Sequence, residues 1–317
     1  MIRHLGLGLG AAVLVAAFSA AARHVVLEVR ALRTDLAASC LEIDRLRASA
    51  GEPREASPLP DGREREIDGL HRDILEPSVQ VNARGGVGGG TILSSGPSGT
   101  WVVTAYHVVQ KSASGDPPSP AEVRIYDATG APADTLLADL VAFEQDRDLA
   151  LLRLRDERRF ANVARLAGRP SLRNVRVFTP VYAVGCPLGH DPLPTLGEIV
   201  TLNKEVSGRR FWMMNAPTIF GNSGGGIFHR DTRELVGVSA MICTYDGAVS
   251  TPVPHLGILV SLDAVYDWLE SLGLGYVVDP SASVEACEAA RAAWTTESGT
   301  AAVLPRRELP ARHAAPD

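Results

Sequence analysis

The chain has 317 residues, long enough for a globular body of about 200 residues with further segments at both ends. Its 31 basic and 37 acidic residues leave a net charge of −6, so the electrostatic footprint of a nucleic-acid binder is missing. Cys40, Cys186, Cys243 and Cys287 stand far apart with no C-x-x-C pair, which argues against a cysteine-bound zinc or redox centre and leaves the compartment open.

In chain order the first element is Leu5 to Ala22, 18 uncharged residues that follow Arg3 and end in small side chains. This length is at the lower limit for crossing a hydrocarbon core of roughly 30 Å, and the end suits a cleavage site, so residues 1–22 read as a signal peptide or a signal anchor. Arg23, Arg30 and Arg33 follow the run while only Arg3 and the terminal amine precede it, a bias that alone would hold the body in the cytoplasm. Residues 23–50 are expected to be helical, because Val25, Val29, Leu32, Leu36, Ser39, Ile43 and Leu46 keep the four-three rhythm of a heptad seam. Both a short coiled coil, making a homo-oligomer, and a surface helix of the monomer fit so short a seam. Residues 51–75, opening with a stretch rich in Pro, Glu and Arg, read as a linker.

Residues 76–275 carry short apolar runs between Gly, Pro, Asp and Ser clusters: TILSS, WVVTAYHVV, EVRIYDA, LALLRL, RVFTPVYAVG, ELVGVSAMI and LGILV. Such a series predicts an all-β body, a sandwich or barrel rather than alternating βα units. Within it, Val108-Val109 read as continuing the strand that ends in Thr104 to His107. A helix from Leu262 to Leu272 closes the body, with Ser261 as N-cap and Gly273 as stop. Residues 276–317, rich in Ala, Pro, Arg and Glu, read as a disordered tail.

The strongest chemical signal is Gly221-Asn222-Ser223-Gly224-Gly225-Gly226. Glycines around a serine let the chain turn sharply and leave backbone N–H groups free to converge on one point, as an oxyanion hole requires. A serine nucleophile needs a base to take its proton and a third group to hold that base. His107 ends an apolar strand and is the best placed of the eight histidines; Asp148 stands before the core-forming run Leu149-Ala150-Leu151-Leu152, with Asp146 as the rival carboxylate.

With TAYH, DLALLRL, VYAVGCPLG and GNSGGG in this order, residues 80 to 272 resemble trypsin-like serine proteases, and most of all the HtrA/Deg group. The order His, Asp, Ser is that of the chymotrypsin-type triad. The resemblance implies two packed six-stranded β-barrels with a C-terminal helix, appended here to an N-terminal helical segment. It implies catalytic His107, Asp148 and Ser223, and an oxyanion hole at Gly221, Asn222 and Ser223. Substrates would be proteins or peptides, with no cofactor and no metal. Pro217, Thr218, Ser239, Ala240 and Met241 are the candidate substrate-pocket residues, and none is a carboxylate, so a small or apolar side chain is expected there rather than Lys or Arg. The resemblance also favours a membrane-anchored or exported, extracytoplasmic body and a role in protein quality control. The alternative is a latent or inactive peptide-binding protein on the same fold. Only about 45 residues follow the closing helix, too few for the PDZ domain that the group usually carries.

Overall fold

The strands WVVTA and LALLRL are apolar on both faces because both faces are covered. Val102, Ala150 and Leu152 pack with Val79, Val81, Ile92, Val123 and Ala138 in one cluster. Trp101, Val103, Leu149 and Leu151 instead join a larger cluster containing Val181, Ile199, Phe211, Met214, Ile227 and Leu259. Leu149, the residue after Asp148, is thus among those that link the two β layers.

The computed structural model describes residues 61–84, 86–113, 119–245, 251–279, 281–287 and 301–303. The apolar run Leu5 to Ala22 and the heptad seam as far as Leu46 lie outside the described residues. No helix among the described residues is long and apolar enough to cross a membrane.

The first sheet is built from β1 (Ser78–Ala83), β2 (Gly86–Gly96), β3 (Gly99–Ala105), β4 (Ala121–Tyr126), β5 (Pro132–Glu144) and β6 (Leu149–Leu154). Its strands run β5-β4-β1-β2-β3-β6, and a further β5–β6 pairing returns the sheet on itself. The second is a closed barrel of β7 (Pro180–Gly185), β8 (Leu193–Val206), β9 (Arg209–Met214), β10 (Gly226–His229), β11 (Leu235–Tyr245) and β12 (Thr251–Ser261), in the order β10-β11-β12-β9-β8-β7. This is the chymotrypsin-like architecture expected from the resemblance. Strand β13 (Ala301–Val303) adds to β5.

Among the described residues, helices α1 (Asp61–Leu70), α2 (Tyr106–Ala113), α3 (Arg169–Leu172) and α4 (Leu262–Ser271) accompany the strands. Helix α4 starts where Ser261 Oγ accepts a hydrogen bond from the Ala264 amide, and Gly273 beyond its end has φ +68°. Val108 and Val109 correct the sequence reading: β3 stops at Ala105, and both valines are buried in the first turn of α2. An apolar run this short has no periodicity that separates strand from helix. The expected linker is helical from Asp61, and a π-helical turn, His71–Leu75, carries it into the body, where Ile74 is buried. The expected tail begins with core: Tyr276 and Val277 are buried, Tyr276 stacks edge-on to Trp101, and the Val277 carbonyl accepts a hydrogen bond from Ser94 Oγ at 2.6 Å.

Candidate active site

His107 enters on the first turn of α2, and Asp148 occupies the last position before β6. Asp148 sits at φ +57°, a left-handed conformation that Asp tolerates better than most residues. Its amide bonds the Gln145 carbonyl at 3.1 Å and its carbonyl accepts the Tyr106 amide at 3.0 Å, so the turn is tied to the start of α2. The carboxylate then grips His107 twice: Oδ1 accepts the backbone N–H at 2.8 Å, and Oδ2 lies 2.6 Å from Nδ1. The first contact supplies a helix-terminal amide with an acceptor; the second fixes the ring so that Nε2 is its free nitrogen. The Asp148 hydrogen bond raises the His107 pKa above its ordinary value against the opposing effect of burial. The His107 side chain is 45% exposed and that of Asp148 15%, so the imidazole is open to a ligand while its partner is largely covered. Asp146, the rival carboxylate, faces elsewhere: it takes a hydrogen bond from Arg209 at 3.0 Å.

Ser223 belongs to the loop before β10 and is tied to the first sheet through the backbone. The Gly89 amide donates to the Ser223 carbonyl at 2.8 Å. A Cβ placed on Gly88 would lie 2.7 Å from that carbonyl and 2.5 Å from Val108 Cγ2, so Ser223 and the residue after His107 flank the same point. Gly224, at φ +84°, packs against Thr104 and the Ala105 amide with no room for a side chain. The Gly224 amide and the Gly225 carbonyl bond the backbone of Ser239 at 2.7 and 2.9 Å, anchoring the loop to β11 as well.

Before Ser223 the chain makes a turn in which the Asn222 amide bonds the Ile219 carbonyl at 3.1 Å and the third residue, Gly221, has φ +99°, the type II pattern. The Phe220 carbonyl accepts the Leu188 amide at 2.8 Å and the Gly221 carbonyl accepts the Cys186 amide at 3.2 Å. Because N–H and C=O of a trans peptide point in opposite directions, the Gly221 N–H is directed away from the 186–190 turn. Gly185 has its only free space taken by Asn222, whose Cα would be 2.6 Å from any added Cβ. Cys186 is a buried small residue under this loop; burial pushes its thiol up to about 12, and its Sγ is 3.7 Å from the Val79 carbonyl. Cys186, Cys243 and Cys287 are free thiols.

Residues 88–238 match the family model of the trypsin-like peptidase domain. The chain carries a trypsin-like peptidase domain. It is 30% identical over 196 residues to the chloroplastic Protease Do-like 1 of Arabidopsis thaliana, an alignment covering 58% of this chain and 41% of that one. It thus spans less than half the length of this curated relative. The fold is similar to the crystal structure of Deg5, with a TM-score of 0.52, 23% identity, and coverage of 67% of this chain and 95% of that one. The HtrA-type protease AlgW with a tripeptide gives a TM-score of 0.52 at 20% identity, over 65% of this chain and 63% of that one.

The peptidase domain distributes the expected pocket residues unevenly. Thr218, Ser239 and Ala240 are buried, while Met241 and Pro217 are half-buried. Thr218 Oγ1 is buried and has no hydrogen-bond partner among the described residues, and a Cβ on Gly257 would meet it at 2.9 Å and Met214 Cε at 3.0 Å. Gly257 and Met214 thus belong beside Thr218, a grouping made by β12–β9 pairing that no local motif announces. Pro217 alone of the five lines a cleft of about 450 Å³ with Pro180, Leu196, Gly197, Glu198, Asn215, Arg230 and His255. That cleft reaches the Pro180 end of β7, about 16 Å along the strand from Gly185, which abuts the Ser223 loop. Neither His107 nor Ser223 lines it. Among the described residues no cluster of His, Cys, Asp and Glu could hold a metal ion.

Proposed function

We propose that the chain is a serine endopeptidase in which Ser223 attacks the scissile peptide carbonyl, His107 is general base and then general acid, and Asp148 orients His107. The observation that carries this reading is the two-point grip of Asp148 on His107 beside a loop whose serine is bonded to Gly89. With Nδ1 held by the carboxylate, Nε2 takes the Ser223 proton as the tetrahedral intermediate forms, and the same proton is delivered to the leaving amine. The backbone N–H groups of Gly221 and Ser223 bind the oxyanion, with Asn222 between them as the spacer that lets both point to one place. Water then hydrolyses the acyl-enzyme by the same route reversed.

Thr218, Met214 and Gly257 bring no charge to the surroundings of the site, which supports preference for a small or apolar side chain before the scissile bond. The reading extends to an extracytoplasmic protein exported or anchored through Leu5 to Ala22, self-associating through the 25–46 seam, and degrading unfolded proteins in quality control. The test is cleavage of casein and of a peptide panel by the full chain and by Ser223→Ala. Cleavage after Val, Ala or Leu that is lost in the variant is expected. Intact casein and peptides with folded wild-type protein would refute the activity, and cleavage confined to arginine would refute the pocket assignment.

A further inference from the structure

The turn that fixes the Phe220 and Gly221 carbonyls is closed by two bonds of its own, from the Gly189 amide to the Cys186 carbonyl and from the His190 amide to the Pro187 carbonyl, both at 3.0 Å, yet it contains a strained residue. Leu188 has φ +54° and ψ 24°, a left-handed conformation that a branched side chain disfavours, and its side chain is 70% exposed, so no burial of Leu188 compensates. A further hold comes from the other β layer. Gln80, on β1 and only 2% exposed, donates from Nε2 to the Gly189 carbonyl at 2.9 Å and to the His190 carbonyl at 3.0 Å. Its amide is oriented by Asn82, whose Nδ2 donates to Gln80 Oε1 at 3.0 Å, leaving the NH2 group facing the turn. A continuous chain of hydrogen bonds therefore runs from Asn82 and Gln80 through residues 188–190 to the Phe220–Gly221 peptide.

We propose that Gln80 is a positioning residue for the oxyanion donor at Gly221, acting through the 186–190 turn; this rests on the reading of Gly221 as such a donor. A buried amide with both hydrogen-bonding ends used can be replaced by nothing apolar of equal shape without freeing two carbonyls. Once freed, the turn relaxes from the strained Leu188 conformation, the Leu188 amide leaves the Phe220 carbonyl, and the Phe220–Gly221 peptide can rotate. The donor then leaves the developing oxyanion, where it matters in the transition state and little in ground-state binding.

The test compares wild type with Gln80→Met, which keeps the volume, and with the milder Asn82→Leu, which removes only the orienting bond. Peptide kinetics, thermal midpoint and amide hydrogen exchange are read on each. For Gln80→Met, kcat is expected to fall about 10- to 100-fold with KM within about twofold, as for a displaced donor. Asn82→Leu should give a smaller loss of the same kind. Exchange at 186–190 and 219–223 should quicken in both while the β9–β12 core stays protected. Unchanged kcat with unchanged exchange at 219–223 in variants that melt cooperatively would overturn the proposal, as would a rise in KM alone. Quickened exchange at 219–223 in a chain whose wild type cleaves nothing would support the positioning link and sink the peptidase reading instead. Should Gln80→Met not fold, Asn82→Leu decides by the same criteria.

Discussion

The two halves of the site are fixed by different kinds of bond. On the first sheet, His107 is held by a side chain, the Asp148 carboxylate, at 2.8 and 2.6 Å. On the second barrel, Ser223 is held by main-chain bonds alone, from Gly89, Cys186, Leu188 and Ser239 to its loop. The contrast follows from what each half must deliver. The imidazole needs a defined tautomer, which the Asp148 carboxylate enforces here, whereas the backbone donors of an oxyanion site must be aimed outward, which here depends on the backbone geometry of the loop. The first half should therefore break on a change of one functional group, the second on the addition of one methyl.

The largest effect should come from Asp148→Asn. An amide keeps the shape of the carboxylate but donates where it should accept, so the wrong tautomer is favoured and kcat should fall about 10⁴-fold, as in triads of this type. Peptide turnover with the melting midpoint as control measures it; a loss under tenfold would detach Asp148 from the chemistry. Next is Gly221→Ala. The added Cβ meets the Cys186 carbonyl and lies 2.8 Å from the Leu188 amide, at a φ of +99° that alanine resists, so the donor peptide must move. The expected loss is about 10² to 10³ in kcat, the magnitude for one oxyanion donor, with His107 titration unchanged.

The smallest effect is on pH dependence. The Asp148 hydrogen bond raises the His107 pKa, so the acid limb of kcat/KM should have its midpoint above 6.5. Any stability from the protonated pair is fully present below the unfolded-state pKa near 6.5 and is lost as pH rises through the raised folded value. Imidazole titration by NMR in wild type and Asp148→Asn measures the shift directly. The variant's pKa should be the lower, and equal values would contradict the role of the carboxylate.

Much of this contrast was legible in the sequence, for unequal reasons. His107, Asp148 and Ser223 stand out because each is a polar residue set into apolar or glycine-rich surroundings that need a chemical reason. Strands β5, β8 and β9 were not read as strands, since PADTLLADLVAFE lacks the alternation of a half-buried strand and LPTLGEIVTLNKEV is largely solvated. A signal for the β8–β9 hairpin was nonetheless present: Ser207-Gly208, with φ 49° and 75°, is a two-residue turn of the type I′ kind between Val206 and Arg209, which pair directly. Gln80 and Gly257 could not be found locally, because the turn that Gln80 holds is 109 residues away in sequence and Gly257 meets Thr218 only through barrel closure.

The most direct measurement is mass mapping of the full chain after treatment with a fluorophosphonate, beside His107→Ala. The account predicts a single adduct on Ser223 in the wild type and a labelling rate lowered by orders of magnitude in the variant. An unlabelled Ser223 in folded wild-type protein, or equal labelling in both, would contradict it.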